Sequence, residues 1–265
     1  MIGLMIVVAL VIVALSASVI APHPPDELGS RSTQLLGPSA SHPFGTDDLG
    51  RDMLSRVIYG ARISLMVGLF SVLFGTLVGT AIGIVAGYVG GIIDAIISRI
   101  VDMAIAFPAL LLLLILRQIL GPSAQTLVVA IGIAIIPGVS RVVRGEVVSQ
   151  RNNQYVEAAL ALGAATPRIM IRHIAPNIAA IAVIVMTSLL GTAVLAEAAL
   201  SFLGLGIPSS VTWGGDVNLA RNSQHATIAW AFFPGAAIAI TVLGFSLFGD
   251  ALRDIADPRL RSQRK

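Results

Sequence analysis

Ile63-Ser-Leu-Met-Val-Gly-Leu-Phe-Ser-Val-Leu-Phe-Gly-Thr-Leu-Val-Gly-Thr-Ala-Ile-Gly-Ile-Val-Ala86 carries no charged side chain, and its reading decides the fold class. A helix of about 20 apolar residues crosses the hydrocarbon core of a bilayer. Lipid offers no partners to backbone N–H and C=O groups, so such a run must satisfy them internally as a helix. The apolar residues are continuous rather than alternating, which argues against a barrel strand. Gly75, Gly79, Gly83 and Gly87 follow Gly68 at four-residue spacing from Gly75 onward, so these four share one face. Small residues on one face predict the close approach of a second helix.

Outward from this segment the chain repeats the pattern. Ile2–Ala21, Ile92–Leu116, Thr126–Val142 and Ile178–Leu200 qualify as spans, and a sixth runs from about Thr227 to Phe248. Hydrophobic residues make up 56% of the chain and charged residues 12%. Soluble domains carry about 25% charged residues, so the sequence predicts an all-α integral membrane protein with six transmembrane helices. No Lys or Arg precedes the first run, and that run exceeds a signal-peptide core, so it reads as a span. Cysteine is absent, which excludes disulfides, thiolate metal sites and cysteine nucleophiles. A net charge of +3 gives no reason to expect nucleic acid.

Orientation follows the Lys/Arg bias of the connecting segments. Residues 141–176 carry Arg141, Arg144, Arg151, Arg168 and Arg172, and the tail carries Arg253, Arg259, Arg261, Arg264 and Lys265. With six spans both segments lie on one side, the cytoplasm, as do both termini. The division expected is a first span at 1–21 and an external loop at 22–62. A five-helix core follows at 63–250, containing a cytoplasmic segment at 141–176, and a basic tail fills 251–265. Within the external loop, Thr46 is expected to cap an amphipathic interfacial helix ending near Gly60, with Asp47 and Arg51 paired at i,i+4. Trp213, in the last external loop, reads as an interfacial anchor.

Between the fourth and fifth spans lies Tyr155-Val-Glu-Ala-Ala-Leu-Ala-Leu-Gly163, followed by His173-Ile-Ala-Pro176. Asn152 or Asn153 can cap a short helix on which Tyr155, Ala158, Ala159 and Leu162 share a face. Gly163 fits the left-handed position that ends it. Thr166-Pro167 restarts a second helix, and Pro176 opens the next span. The alanines permit a docked surface to approach, with Glu157 and Arg168 as charged contacts at its rim. In the third span Arg99 and Asp102 stand at i,i+3. Either they form a structural pair, or they belong to a substrate path or gate. Pro108 is expected to kink this span. Glu197, near the outer end of the fifth span, either lines the entrance or secures a bundle contact.

Catalytic and nucleotide motifs are missing. The chain has no G-x-x-x-x-G-K-[ST], no H-E-x-x-H and no G-x-S-x-G. His23, His42, His173 and His225 show no close ligand spacing, so no metal site is expected. No histidine falls mid-span to serve an intramembrane nucleophile.

Glu157-Ala158-Ala159, the three-residue gap to Gly163, and Pro176 together resemble the cytoplasmic signature of ABC-importer permeases. Three further blocks narrow the likeness: His42-Pro-Phe-Gly-Thr-Asp-Asp-Leu-Gly-Arg-Asp52, Tyr59-Gly-Ala-Arg-Ile-Ser-Leu65 and Ala198-Ala-Leu-Ser-Phe-Leu-Gly-Leu-Gly206. They are similar to the dipeptide/oligopeptide/nickel branch and to its C-type permease subunit. The resemblance implies a type I importer bundle in the cytoplasmic membrane of a bacterium or archaeon. It also implies a second permease subunit, two ATP-binding subunits and an extracytoplasmic substrate-binding protein. No cofactor is implied on this chain, with ATP and Mg²⁺ on the partner ATPases. Coupling is implied to run through Tyr155, Glu157, Ala158, Ala159, Leu162, Gly163, Arg168 and Pro176. Peptides lead as substrate, with nickel or another small solute as the alternative. A gradient-driven secondary transporter is the remaining reading.

Overall fold

The computed structural model describes residues 1–224 and 226–256. Arg259, Arg261, Arg264 and Lys265 of the expected basic tail lie outside the described residues. Helix α1 (Ile2–Leu15) is followed, after a turn at Ser16, by α2 (Ala17–Ile20). The first expected span is thus interrupted rather than continuous to Ala21. The loop that follows closes on itself through an antiparallel bridge between Thr46 and Asp52. Helix α3 (Met53–Val89) begins where the Asp52 carboxylate accepts the Ser55 N–H.

That start corrects the sequence reading of an interfacial helix at 46–60. Thr46 is no cap: its hydroxyl donates to Thr33 O and accepts the Leu36 N–H. The helix does not stop at Gly60 but continues into the span. Gly60 is there for space, because a Cβ at this position would sit 2.8 Å from Trp213 Cδ1. Trp213 is buried rather than lodged at a lipid interface, and its indole N–H donates to Val57 O at 2.8 Å.

Helices α4 (Gly91–Ala106) and α5 (Ala109–Leu120) meet at Phe107–Pro108 with a bend of 95°. The proline kink read from the sequence is here a full break. Helix α6 (Ala124–Arg151) starts with a capping box between Ser123 and Thr126. Next come α7 (Gln154–Ala161), α8 (Thr166–Ile169), a π turn at Met170–Ile174 and α9 (Ala175–Phe202). The last two helices are α10 (Trp213–Asn222) and α11 (Ile228–Ala256).

Among the described residues four helical stretches are long and apolar enough to cross a membrane, and the bent α4–α5 pair makes a fifth. Their relative directions follow from which glycine meets which residue. Along α3, a Cβ at Gly75 would meet Gly132 O, at Gly79 Ile136 O, at Gly83 Ser140 O and at Gly87 Arg144 O, all within 2.7–2.9 Å. Both series ascend by four, so α3 and α6 run parallel, backbone against backbone. The α4–α5 pair between them must therefore carry the chain back across the bundle. Gly68 meets Val194, and Ser64 donates to Glu197, so α9 runs antiparallel to α3. Gly191 meets Val242 and Gly249 meets Ser188, so α11 runs antiparallel to α9. Gly3 meets Phe248 and Gly244 meets Ile6, so α1 runs antiparallel to α11.

The described chain thus makes six helical passes, of which α1 is short at 14 residues. One end of the bundle, the elbow end, holds the start of α1, the turn at Gly90, the segment from Asn152 to Ile174, and the end of α11. The other, the loop end, holds residues 22–52, the turn at Gly121–Ser123 and residues 203–224.

Candidate functional site

At the elbow end, residues 152–174 leave the bundle between α6 and α9. Asn153 occupies the N-cap of α7, where its carbonyl accepts the Val156 and Glu157 N–H groups. Its side chain turns away to Gln150 Oε1, which also accepts from the Tyr155 hydroxyl at 3.0 Å. At the far end Gly163 takes φ +76°, as the sequence predicts. The Ala164 N–H donates to Ala159 O and the Gly163 N–H to Leu160 O. This pair of bonds is the Schellman closure, and it satisfies carbonyls that a helix end otherwise leaves open.

Val156, Ala159, Ile169 and Ile174 are buried against Tyr88, Val143, Val147 and Ile178. The elbow is therefore bolted to α3, α6 and α9 rather than hung from them. Ala159 faces the bundle, so it does not share an outer face with Ala158 and Leu162. The outward surface consists of Glu157, Ala158, Leu160, Leu162, Gly163 and Arg168, with Tyr155 half-buried. Leu162 is 88% exposed, Ile171 74% and Leu160 53%.

The restart expected at Thr166-Pro167 and Pro176 takes another form. Ala165, not Thr166, is the N-cap of α8, with Pro167 in its first turn. From Thr166 to Phe202 the helical path is continuous and long enough to span. Pro176 lacks an N–H and cannot bond four residues back. The chain answers with the π turn, in which the Ala175 N–H reaches Met170 O. Such a bulge accommodates the proline without a break. Pro176 itself is exposed on the helix surface.

The two carboxylates of α4 pair across to α6, not within α4. Arg144 Nε and Nη2 donate to the two carboxylate oxygens of Asp94 at 2.5 and 2.7 Å. Asp102 pairs with Arg141, and both side chains are about half exposed. Asp102 therefore does not pair with Arg99, which is exposed and has no ion-pair partner among the described residues. Glu197 is fully buried, accepting from Ser64 Oγ at 2.9 Å and Ser201 Oγ at 2.7 Å. It lines neither of the two larger cavities. One of these, about 300 Å³ and apolar, lies beneath the α4–α5 break against Ile131, Pro137 and Ala193. The other, about 570 Å³, opens at the loop end beside Arg56 and Arg117.

Two buried arginines at the loop end escaped the sequence reading. Arg56 Nε and Nη2 donate to Asp216 Oδ1 at 2.9 and 2.5 Å. Burial pushes the Asp216 carboxyl above its ordinary value, while the Arg56 charge pulls it back. Arg117 donates to the carbonyls of Leu205, Gly206, Gly121 and Ser123 and to Thr126 Oγ1, tying the turn before α6 to the segment after α9 at one guanidinium. The available signal for Arg117 was a lone arginine between an apolar run and Gly121-Pro122. Residues far apart in sequence also meet in the first loop, where His23, His42 and Asp52 form one group.

Comparison with known proteins agrees with this arrangement. A family model described as "Binding-protein-dependent transport system inner membrane component" matches residues 79–262. The dipeptide transport system permease protein DppC of Alkalihalophilus pseudofirmus is 42% identical over 98% of this chain and 86% of its own length. The glutathione transport system permease proteins GsiD of Escherichia coli O1:K1 and Shigella flexneri are 39% and 40% identical, over 96% of this chain and 84% of theirs. A solved chain from inward-facing forms of the MetNI methionine ABC transporter superposes with a TM-score of 0.63. It covers 77% of this chain and 98% of its own at 20% identity, a likeness of fold. The chain belongs to the binding-protein-dependent inner-membrane transport family: it is the permease subunit of an ABC importer, not an enzyme.

Proposed function

We propose that this permease conducts short peptides inward, and that residues 153–176 are where partner ATPases act on it. The curated relatives are named for a dipeptide and for glutathione, itself a tripeptide, so the substrate class is small peptides. The elbow carries the coupling proposal. It combines a fixed backbone, closed by Gly163, with an outer face of Ala158, Leu160 and Leu162 rimmed by Glu157 and Arg168.

A ligand shifts a two-state bundle only through contacts that differ between the states. ATP with Mg²⁺, held by two ATPase subunits, changes the spacing of the surfaces that grip the elbows. The buried contacts of Val156, Ile169 and Ile174 pass that displacement to α3, α6 and α9. A second permease subunit supplies the other half of the path, and an extracytoplasmic binding protein delivers peptide at the loop end. The Arg-rich elbow end then faces the cytoplasm, with both termini, in keeping with the charge rule.

The chain lacks cysteine, so a single Leu162→Cys variant gives an unambiguous probe. In intact cells an impermeant maleimide should leave it unlabelled until the membrane is opened. A bifunctional crosslinker should join it to an ATPase. Labelling from outside, or crosslinking to no nucleotide-binding subunit, would refute the assignment. Uptake of labelled di- and tripeptides by the reconstituted importer, set against uptake of Ni²⁺, decides the substrate class.

A further inference from the structure

We propose that His23, His42 and Asp52 form a binding site for a divalent transition-metal ion of the Zn²⁺ class, clamping the first external loop onto the start of α3. Each of the three offers one ligand atom, and those atoms lie within 4.8 Å of one another. An ion bound at the usual 2.0–2.2 Å to nitrogen and oxygen bridges separations of about 4 Å, so modest side-chain rotation completes the set. Two imidazoles and one carboxylate suit Zn²⁺ and its neighbours rather than Mg²⁺ or Ca²⁺, which take oxygen ligands.

The local bonding leaves these ligands available. Asp52 Oδ2 is committed to capping α3, where it accepts from Ser55 N–H and Ser55 Oγ at 2.8 and 2.7 Å. Its other oxygen, Oδ1, faces His42 Nδ1 at 2.9 Å. The His23 ring stacks on His42 with centroids 5.0 Å apart and makes only a 3.4 Å contact to Ser41 O. The Asp52 carboxylate is 1% exposed and the His42 side chain 15%, so the group is sheltered without being sealed. All three line one cavity of about 270 Å³, with Glu27 on the same wall. That is ample for an ion and a water as fourth ligand.

Residues 23, 42 and 52 sit at three separated points of a loop whose other closures are a bridge and side-chain bonds. An ion there ties the loop's beginning, middle and end to one point. Binding replaces the His42 Nδ1–Asp52 Oδ1 contact with bonds from both atoms to the ion, the His42 ring carrying its proton on Nε2.

The test is calorimetric titration of Zn²⁺ into the purified importer, carried on an affinity tag free of histidine. One ion per permease chain is expected, with a rise in unfolding temperature. His42→Ala should weaken binding by more than the roughly 10–100-fold that outer-shell partners cost. His23→Ala should do the same, and because its ring has so few other contacts the variant keeps its fold. Failure of the folded importer to take up stoichiometric Zn²⁺ would overturn the site. So would binding that survives both His23→Ala and His42→Ala, which would be an adventitious ion only.

Discussion

The two ends of the bundle are held by opposite means. At the loop end three ionisable groups are buried with their partners: Arg56 with Asp216, Arg117 among five acceptors, Glu197 between two serines. At the elbow end the ion pairs Asp94–Arg144 and Asp102–Arg141 are partly open to solvent, and aliphatic side chains stand exposed. Breaking a buried pair strands a charge without water, whereas an exposed pair contributes little. The contrast teaches where a lost charge partner costs most. The ion pairs of the loop end are sealed from water, and those beside the elbow can exchange partners with solvent at small cost.

The sharpest attempt to break this contrast is Arg56→Ala. It leaves Asp216 buried and unpaired, with an expected loss of about 3–5 kcal/mol, read as a large fall in unfolding temperature in detergent. Wild-type stability in that variant would dissolve the distinction between the ends. Between the ends, Gly79→Leu forces a side chain into space held by Ile136 O and Val139. Overpacking of this kind costs about 1–3 kcal/mol, and the expected readout is loss of assembled importer.

At the elbow, Gly163→Val imposes roughly 1–2 kcal/mol of left-handed backbone strain. Nothing lies within 4 Å of a Cβ there, so the effect is conformational and not steric crowding. ATP hydrolysis should continue while peptide uptake falls, and Gly163→Asn, which tolerates this conformation, should keep most of the transport. The smallest effect belongs to Arg141→Ala. Its half-exposed pair is worth about 0–1 kcal/mol, and a shift in melting temperature at the edge of detection is expected. A drop as large as that of Arg56→Ala would show the elbow end to be as rigidly set as the loop end.

What the sequence disclosed was periodic or local. The four-residue spacing from Gly75 to Gly87 announced a helix contact because spacing alone places side chains on a face. Gly163 announced a helix stop because φ above zero favours one residue type. Direction of packing was less legible: Ala159 falls inward because Val156 and Ile169 do, and that depends on the neighbours they meet. Pairings between distant segments left no local mark. Asp216 meets Arg56 across most of the chain, and His23 meets His42 only because the loop between them closes. The early helix stop at Gly60 was misread because a glycine that makes room for Trp213 looks, in sequence, like one that ends a helix.

The matched notches of α3 and α6 have a mechanical corollary. Carbonyls 132, 136, 140 and 144 seat against glycines 75, 79, 83 and 87 like a rack against its teeth. Four residues of helix rise about 6 Å, so no smaller slip finds the next seat. To slide along α3, α6 would have to leave all four seats at once, so the pair resists a relative shift along its axis.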